Sequence, residues 1–214
     1  VALQIAESVR NAGRFDLLVE AIAGRAAAKT GNPEEAQRIF KLAEEKAAQL
    51  LQTGPQTADS AATTAVRTIT PKQLAWFYCF ANPTAAKALD WANKAYSAEP
   101  NTPSASALLA YALVMNKQME WAKPLLQLAE QNQIADLVQA RIKSAEGDKR
   151  SAVQSLKVAI SKDPGSLAAE LARDMLRELG SEYIPPIDPD VLLTFLAERL
   201  DKAVVPKFLS PDKV

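Results

Sequence analysis

Few side chains in this sequence belong to the types that carry out catalysis. The 214 residues include no histidine and a single cysteine, Cys79. Without histidine the chain lacks the usual general base, the Ser-His and Cys-His nucleophilic pairs, and the commonest zinc ligands. The sequence also lacks a glycine-rich phosphate loop. We therefore expect a protein that is not an enzyme, with no catalytic residues, no metal ligands and no cofactor.

Two patterns have the spacing of chemical sites but lack the required surroundings. Ser210 and Lys213 match a Ser-x-x-Lys spacing, yet they lie in a proline-broken tail without the companion motifs of that chemistry. The acidic pairs at 34–35 and 44–45 are explained by helix capping and solvation. Cys79 lies in the apolar run 74–80, which indicates a small buried core residue.

The overall composition excludes several classes of partner. Lys plus Arg and Asp plus Glu both number 25, so the basic excess typical of nucleic-acid binding is absent. A hydrophobic content of 48% with 23% charged residues is typical of a soluble folded protein. No apolar run reaches the roughly 18 residues that a membrane span requires.

The ends of the chain lead to an expectation about its origin. It starts at Val1 rather than at a methionine, and the sequence up to Val214 has no clear stop. We expect a module of a larger protein or a processed product. The sequence leaves the location open between the cytoplasm and export followed by removal of a signal peptide.

The helical hairpin over residues 134–164 is the clearest local prediction. A Gly-Asp turn at 147–148 joins two amphipathic helices, and Asp163-Pro164 prevents the second from continuing. Apolar residues recur at steps of three and four in both helices, which predicts one buried face in each. These residues are Ala135, Val138, Ile142 and Ala145 in the first helix, and Ala152, Leu156, Ala159 and Ile160 in the second.

Similar punctuation divides the rest of the chain into helices, and no segment predicts a sheet. Capping residues followed by proline begin helices near 33, 71, 83, 103 and 189, and Thr70 with Gln73 has the capping-box spacing. In the helix over 14–29 we expect Leu17, Leu18, Ala21, Ile22 and Ala26 to face inward. Residues 1–180 form the predicted helical domain, with a loop at about 53–64. Residues 181–214 form a proline-rich tether, an amphipathic helix over 188–200 and a tail.

Small residues recur at a spacing that indicates a repeat. Ala88 and Ala122 are 34 residues apart, Ala122 and Ala152 are 30 apart, and Ala36 precedes Ala88 by 52. The pattern resembles the tetratricopeptide repeat (TPR) family over roughly residues 14–180. It also suits other arrays of helical hairpins. The matching positions are Gly31, Asn32, Ala36, Phe40 and Ala43 in the first copy, then Ala88, Ala92, Ala95 and Pro100, and finally Gly147, Asp148, Ala152, Leu156, Ala159 and Pro164.

The resemblance implies an all-α fold, a right-handed α-solenoid of antiparallel helical hairpins with a concave groove. Chaperone-binding members of the family clamp a terminal carboxylate with Lys, Asn and Arg. This sequence has Ala21, Arg25, Leu108 and Val138 at those positions, so we do not expect it to bind chaperone tails. The resemblance places eight residues toward the groove: Arg25, Gln73, Phe77, Phe80, Leu108, Tyr111, Met115 and Arg141.

Two functional hypotheses follow. The aromatic and apolar groove favours a protein-interaction scaffold that binds an amphipathic helix or an apolar extended peptide. The alternative is a structural or self-assembling spacer, in which the 188–200 helix caps the array or swaps between copies to form a homodimer. Trp76 and Phe77 have a competing interpretation as core residues between repeats.

Overall fold

The computed structural model describes residues 2–12, 15–53, 69–129 and 132–182. This part of the chain is all-α, as predicted from the sequence. None of its helices is both long enough and apolar enough to cross a lipid bilayer. The helices are α1 (Ala2–Asn11), α2 (Leu17–Lys29), α3 (Pro33–Thr53), α4 (Pro71–Trp76) with the π-helical turn Phe77–Ala81, α5 (Ala85–Ala98), α6 (Pro103–Met115), α7 (Met119–Leu128), α8 (Gln133–Ala145), α9 (Lys149–Lys162) and α10 (Leu167–Glu178).

Consecutive helices pack as antiparallel pairs. The pairs are α2 with α3, α4 with α5, α6 with α7, and α8 with α9, and α10 packs against α9. The first helices of neighbouring pairs are also in contact, in the order α2, α4 with its π-helical turn, α6, α8 and α10. Each pair therefore covers part of the apolar surface that its neighbour leaves open.

Local capping explains where the helices begin and end. The predicted capping box forms, since the Thr70 side chain accepts from the Gln73 amide while the Gln73 side chain accepts from the Thr70 amide. Asp148 accepts from the amide of Ser151 at 3.0 Å and caps α9. Gly31 and Gly147 close α2 and α8 with φ of +80° and +82°, a conformation that glycine adopts without strain.

Two of these predictions are wrong in detail. Helix α2 begins at Leu17 rather than at Arg14, because the Asp16 carboxylate caps it by accepting from the Leu18 amide at 2.9 Å. Helix α5 begins at Ala85, with Thr84 as its N-cap residue, rather than at Pro83.

Small residues of the predicted repeat are buried in the packed helices. The four alanines of the predicted repeat, Ala36, Ala88, Ala122 and Ala152, are all buried. Leu156, Ala159 and Ile160 are buried too, so the predicted face of α9 is confirmed. Another small residue, Gly24 of α2, lies against the ring of Phe40 in α3.

Helix α6 lies at the centre of the described helices. Every residue from Ala105 to Val114 is buried, so this helix is covered on all sides. It contacts α4, α5, α7, α8 and the π-helical turn. The pairs on either side of it are therefore joined through one continuous core.

Several predictions fall on residues outside the described part of the chain. They include the loop after Thr53, the extended tether that follows Glu182, the 188–200 helix and the tail. Residues up to Ser181 form one compact unit, and the segment from Glu182 to Val214 is a second unit.

Candidate functional site

An apolar groove, which we call the α2–α10 groove, lies along the first helices of the pairs. It consists of two adjoining clefts of about 240 and 560 Å³ that share Leu18 and Trp76 as lining residues. The smaller cleft extends between the N-terminal parts of α2 and α4. The larger one reaches the N-terminal parts of α8 and α10, and its apolar lining includes Ile22, Ile134, Leu167 and Leu171.

Two large aliphatic side chains of α2 are exposed in this groove. Leu18 is 46% exposed and Ile22 is 42% exposed. The two residues are four positions apart and therefore lie on the same face of α2. Leu17 and Ala21 beside them are buried, since they face the other helices. The expectation that Leu18 and Ile22 also point into the core is therefore wrong. Helix α2 therefore has more apolar residues than its buried face can hold.

Trp76 forms the wall of the groove and is supported by an aromatic series that leads into the core. Its ring packs edge-on against Phe80, with centroids 5.6 Å apart. Phe80 in turn contacts Tyr111 of α6 at 4.5 Å between centroids. The Arg141 guanidinium carbon lies 5.2 Å from the centre of the Tyr111 ring. Burial raises the pKa of the Tyr111 hydroxyl, which keeps this aromatic support neutral.

Arg25 connects the floor of the groove to both of its sides. Its guanidinium donates to the Phe80 carbonyl oxygen at 2.7 Å, which satisfies an acceptor at the end of the π-helical turn. The same guanidinium lies 3.7 Å from a carboxylate oxygen of Asp174 in α10. One side chain therefore links α2, the turn after α4, and α10.

The polar groups that line the groove already have partners within the protein. The Gln133 side-chain amide donates to the carbonyl oxygens of Ala159 at 2.6 Å and Asp163 at 3.1 Å. The Ser166 hydroxyl donates to the Gln133 amide oxygen at 2.8 Å. Lys72 at the opposite side pairs with Glu99 at 2.5 Å. The surface that the groove offers a ligand is therefore mainly apolar.

Charged residues meet at the end of the groove beyond Ile22 and Leu171. Lys29 of α2 pairs with Glu170 of α10 and lies 3.3 Å from Asp174. Asp174 also accepts from Arg177 at 2.9 Å. Together with Arg25, these residues form what we call the ionic cluster.

The structure distributes the eight predicted groove residues among three environments. Gln73 lines the α2–α10 groove, whereas Phe80 is buried beneath it and is held there by the bond from Arg25 to its carbonyl oxygen. Phe77, Leu108 and Tyr111 are buried in the core and offer no surface to a partner. Met115 is half-buried at the end of α6, and Arg141 is exposed on α8.

The residues that line the groove in their place were not predicted as a site. They are Leu18, Ile22, Trp76, Ile134, Leu167 and Leu171. One signal was present in the sequence, because Leu18 and Ile22 are apolar residues in excess of what one buried face of α2 needs. No local pattern shows that α10 supplies the opposite side.

The comparisons with known proteins and the search for metal sites give no match. A scan of protein-family models, a search of curated proteins and a search of solved structures each find nothing similar to this chain. Among the described residues, no three His, Cys, Asp or Glu side chains lie together as metal ligands do. The resemblance to TPR proteins stays a prediction.

Proposed function

We propose that this chain is a non-catalytic protein-interaction module that holds an amphipathic α-helix of a partner protein in the α2–α10 groove. The observation that carries the proposal is the exposure of Leu18 and Ile22 beside Trp76 in a concave, mainly apolar surface. A contiguous apolar surface of this kind marks a binding site, because a partner that removes it from water gains free energy.

A helix suits this groove better than an extended peptide. The walls are helices, whose backbone amides and carbonyls are already bonded to one another. An extended peptide would therefore find no strand edge to pair with, and it would bury its own polar groups without partners. An amphipathic helix satisfies its backbone internally and presents one apolar stripe to the groove.

The same proposal includes a TPR-like arrangement, in which the helical pairs stack as a solenoid. Contacts between the first helices of successive pairs, and between α5 and α6 and α9 and α10, support a stack of equivalent hairpins. In such a right-handed stack the first helices line the concave side. The alternative of self-assembly depends on the 188–200 helix, which lies outside the described residues.

The proposal predicts which helices the chain selects. We would pan the full chain against a displayed library of helical peptides in which one face is polar and the other face is randomised. We expect enrichment of peptides with large apolar residues at steps of three and four. Leu18→Asp or Ile22→Asp should weaken their binding about tenfold or more, because each variant places an unpaired charge in the interface.

A matched variant controls for general effects of the substitution. Leu128→Asp changes a leucine of similar exposure, 40%, that lies on α7 and does not line the groove. It should bind the selected peptides as the wild type does. Equal loss in all three variants, or no enrichment of apolar stripes, would contradict the proposal.

Fluorescence can locate the bound peptide directly. The chain has three tryptophans, and only Trp76 lines the groove. In a Trp91→Phe/Trp121→Phe background, peptide binding should shift Trp76 emission to the blue, because the ring loses contact with water. Binding with unchanged emission would place the peptide elsewhere.

A further inference from the structure

Helices α2 and α10 present the same arrangement of residues to each other. On α2, Leu18, Ile22, Arg25 and Lys29 are spaced by four, three and four positions, which places them on one helical face. On α10, Leu167, Leu171 and Asp174 follow the same spacing. In both helices the N-terminal part of the face is apolar and lines the groove, and the part that follows is charged.

The charges on the two faces are of opposite sign. Arg25 and Lys29 of α2 meet Glu170 and Asp174 of α10, and Asp174 contacts three cations, Arg25, Lys29 and Arg177. Among the described helices, α2 and α10 are not a closely packed pair, so these long side chains make the connection between them. The connected residues are distant in sequence, since Glu170 follows Lys29 by 141 positions.

We propose that the ionic cluster is a clasp that sets the width of the α2–α10 groove and so regulates access of the partner helix. This inference rests on the proposed function, since it concerns the same groove. The spacing between α2 and α10 depends on the angles between all the intervening pairs. Small changes in those angles accumulate between α2 and α10. The clasp limits their combined effect on the distance between these two helices.

The exposure of the cluster makes the clasp reversible. The Lys29 and Glu170 side chains are 42% and 38% exposed, and those of Arg25 and Asp174 are 15% and 27% exposed. Ion pairs with this degree of exposure are weak and are screened by salt. The clasp therefore opens with rising ionic strength, whereas the buried cores of the pairs do not depend on it.

The distance across the clasp can be measured without any partner. We would replace the buried Cys79 by Ala in the full chain and attach spin labels at Ala28→Cys on α2 and Glu178→Cys on α10, both exposed positions. Low salt should give one narrow distance distribution. High salt, or the additional substitution Asp174→Asn, should broaden it and shift it to longer distances.

A matched variant and a charge swap make the measurement specific. Asp90→Asn removes an exposed carboxylate that pairs with Lys94 inside one helix, so it should leave the distribution unchanged. Lys29→Glu should open the clasp by repulsion from Glu170 and Asp174. Lys29→Glu combined with Glu170→Lys should restore much of the narrow distribution, which a general loss of stability would not do.

The outcomes separate this inference from the proposed function. Distributions that stay narrow in high salt, in Asp174→Asn and in Lys29→Glu would overturn the clasp even if peptides bind the groove. A clasp that opens as expected, in a chain that selects no apolar helix, would instead contradict the proposed function. If the clasp and the proposed function are both correct, Asp174→Asn should change the association rate of a selected peptide, and Asp90→Asn should not.

Discussion

At Gly24 the absence of a side chain lets the ring of Phe40 lie against the backbone of α2. A Cβ atom at this position would be 2.2 Å from Cε1 of that ring, far inside van der Waals contact. Phe40 is buried and also packs edge-on against Phe77, with centroids 5.9 Å apart, so it has little room to move. One missing side chain thus fixes how closely α2 and α3 pack.

The substitution Gly24→Ala tests this interpretation, because the sign of the change in unfolding free energy differs between two explanations. Helix propensity alone predicts that alanine stabilises a helix interior by about 1 kcal/mol. Steric overlap with Phe40 predicts the opposite, a loss of about 1–3 kcal/mol in the free energy of unfolding. Urea unfolding of the two proteins decides between them.

A second substitution shows whether Phe40 is the cause. Phe40→Leu opens space opposite Gly24, so the double variant should be less destabilised than the sum of the two single variants. Strict additivity would assign the loss to something other than the contact between Gly24 and Phe40.

Among the helical elements, the π-helical turn Phe77–Ala81 is buried along its whole length. The Asn82 amide donates to the Phe77 carbonyl oxygen at 3.0 Å, five residues back, as this wider helix requires. Phe77 packs against Phe40 of α3 while Phe80 packs against Tyr111 of α6. The turn thereby joins the first pair of helices to the third, and Cys79 is buried within it.

The burial of Cys79 predicts a loss of stability at high pH. Burial raises the pKa of its thiol from 9.0 to about 12 in the folded protein. Above about pH 9 the unfolded chain therefore releases this proton while the folded chain keeps it, so stability falls as the pH rises toward 12. At about pH 10 the thiol should account for a loss of about 1 kcal/mol.

Comparison with Cys79→Ala isolates this contribution from the other titrating groups. The variant should lose less unfolding free energy than the wild type between about pH 8 and pH 10, measured by urea unfolding at each pH. Parallel losses in the two proteins would show that the thiol is not the group responsible.

A disulfide reagent should also modify Cys79 only as fast as the chain unfolds.

At the scale of the described helices as a whole, α6 is the element that the others surround. Its apolar residues are not confined to one face, and the chain places it between the second and fourth pairs, where both neighbours cover it. Opening α6 to water therefore requires separation of the pairs on both sides. Helix α1, in contrast, packs mainly against α2.

Amide hydrogen exchange should follow this order of burial. In the full chain we expect the amides of Ala105–Val114 to exchange most slowly, at a rate set by global unfolding, and those of α1 to exchange through local opening. Mass spectrometry of peptic peptides measures both segments in one experiment. Exchange of α6 at the rate of α1 would contradict the central position of α6.

The positions of most helices, and much of what each helix buries, follow from local sequence patterns. Their ends depend on contacts a few residues apart, such as Thr70 with Gln73 and Asp148 with Ser151, so local spacing suffices to predict them. The buried face of α9 follows from the helical period in the same way. Local spacing does not predict the π-helical turn, whose aromatic residues pack against α3 and α6.

The packing of distant helices decides which apolar side chains line the α2–α10 groove. Tyr111 and Leu18 are both large and lie in first helices of their pairs, yet Tyr111 is 2% exposed and Leu18 is 46% exposed. The difference arises because neighbours cover α6 on all sides, whereas α2 has a groove beside it. The side chains opposite Leu18 and Lys29 come from α10, and no periodicity in the sequence relates residues so far apart. Helix formation is local, but a groove between helices is a property of how distant segments pack.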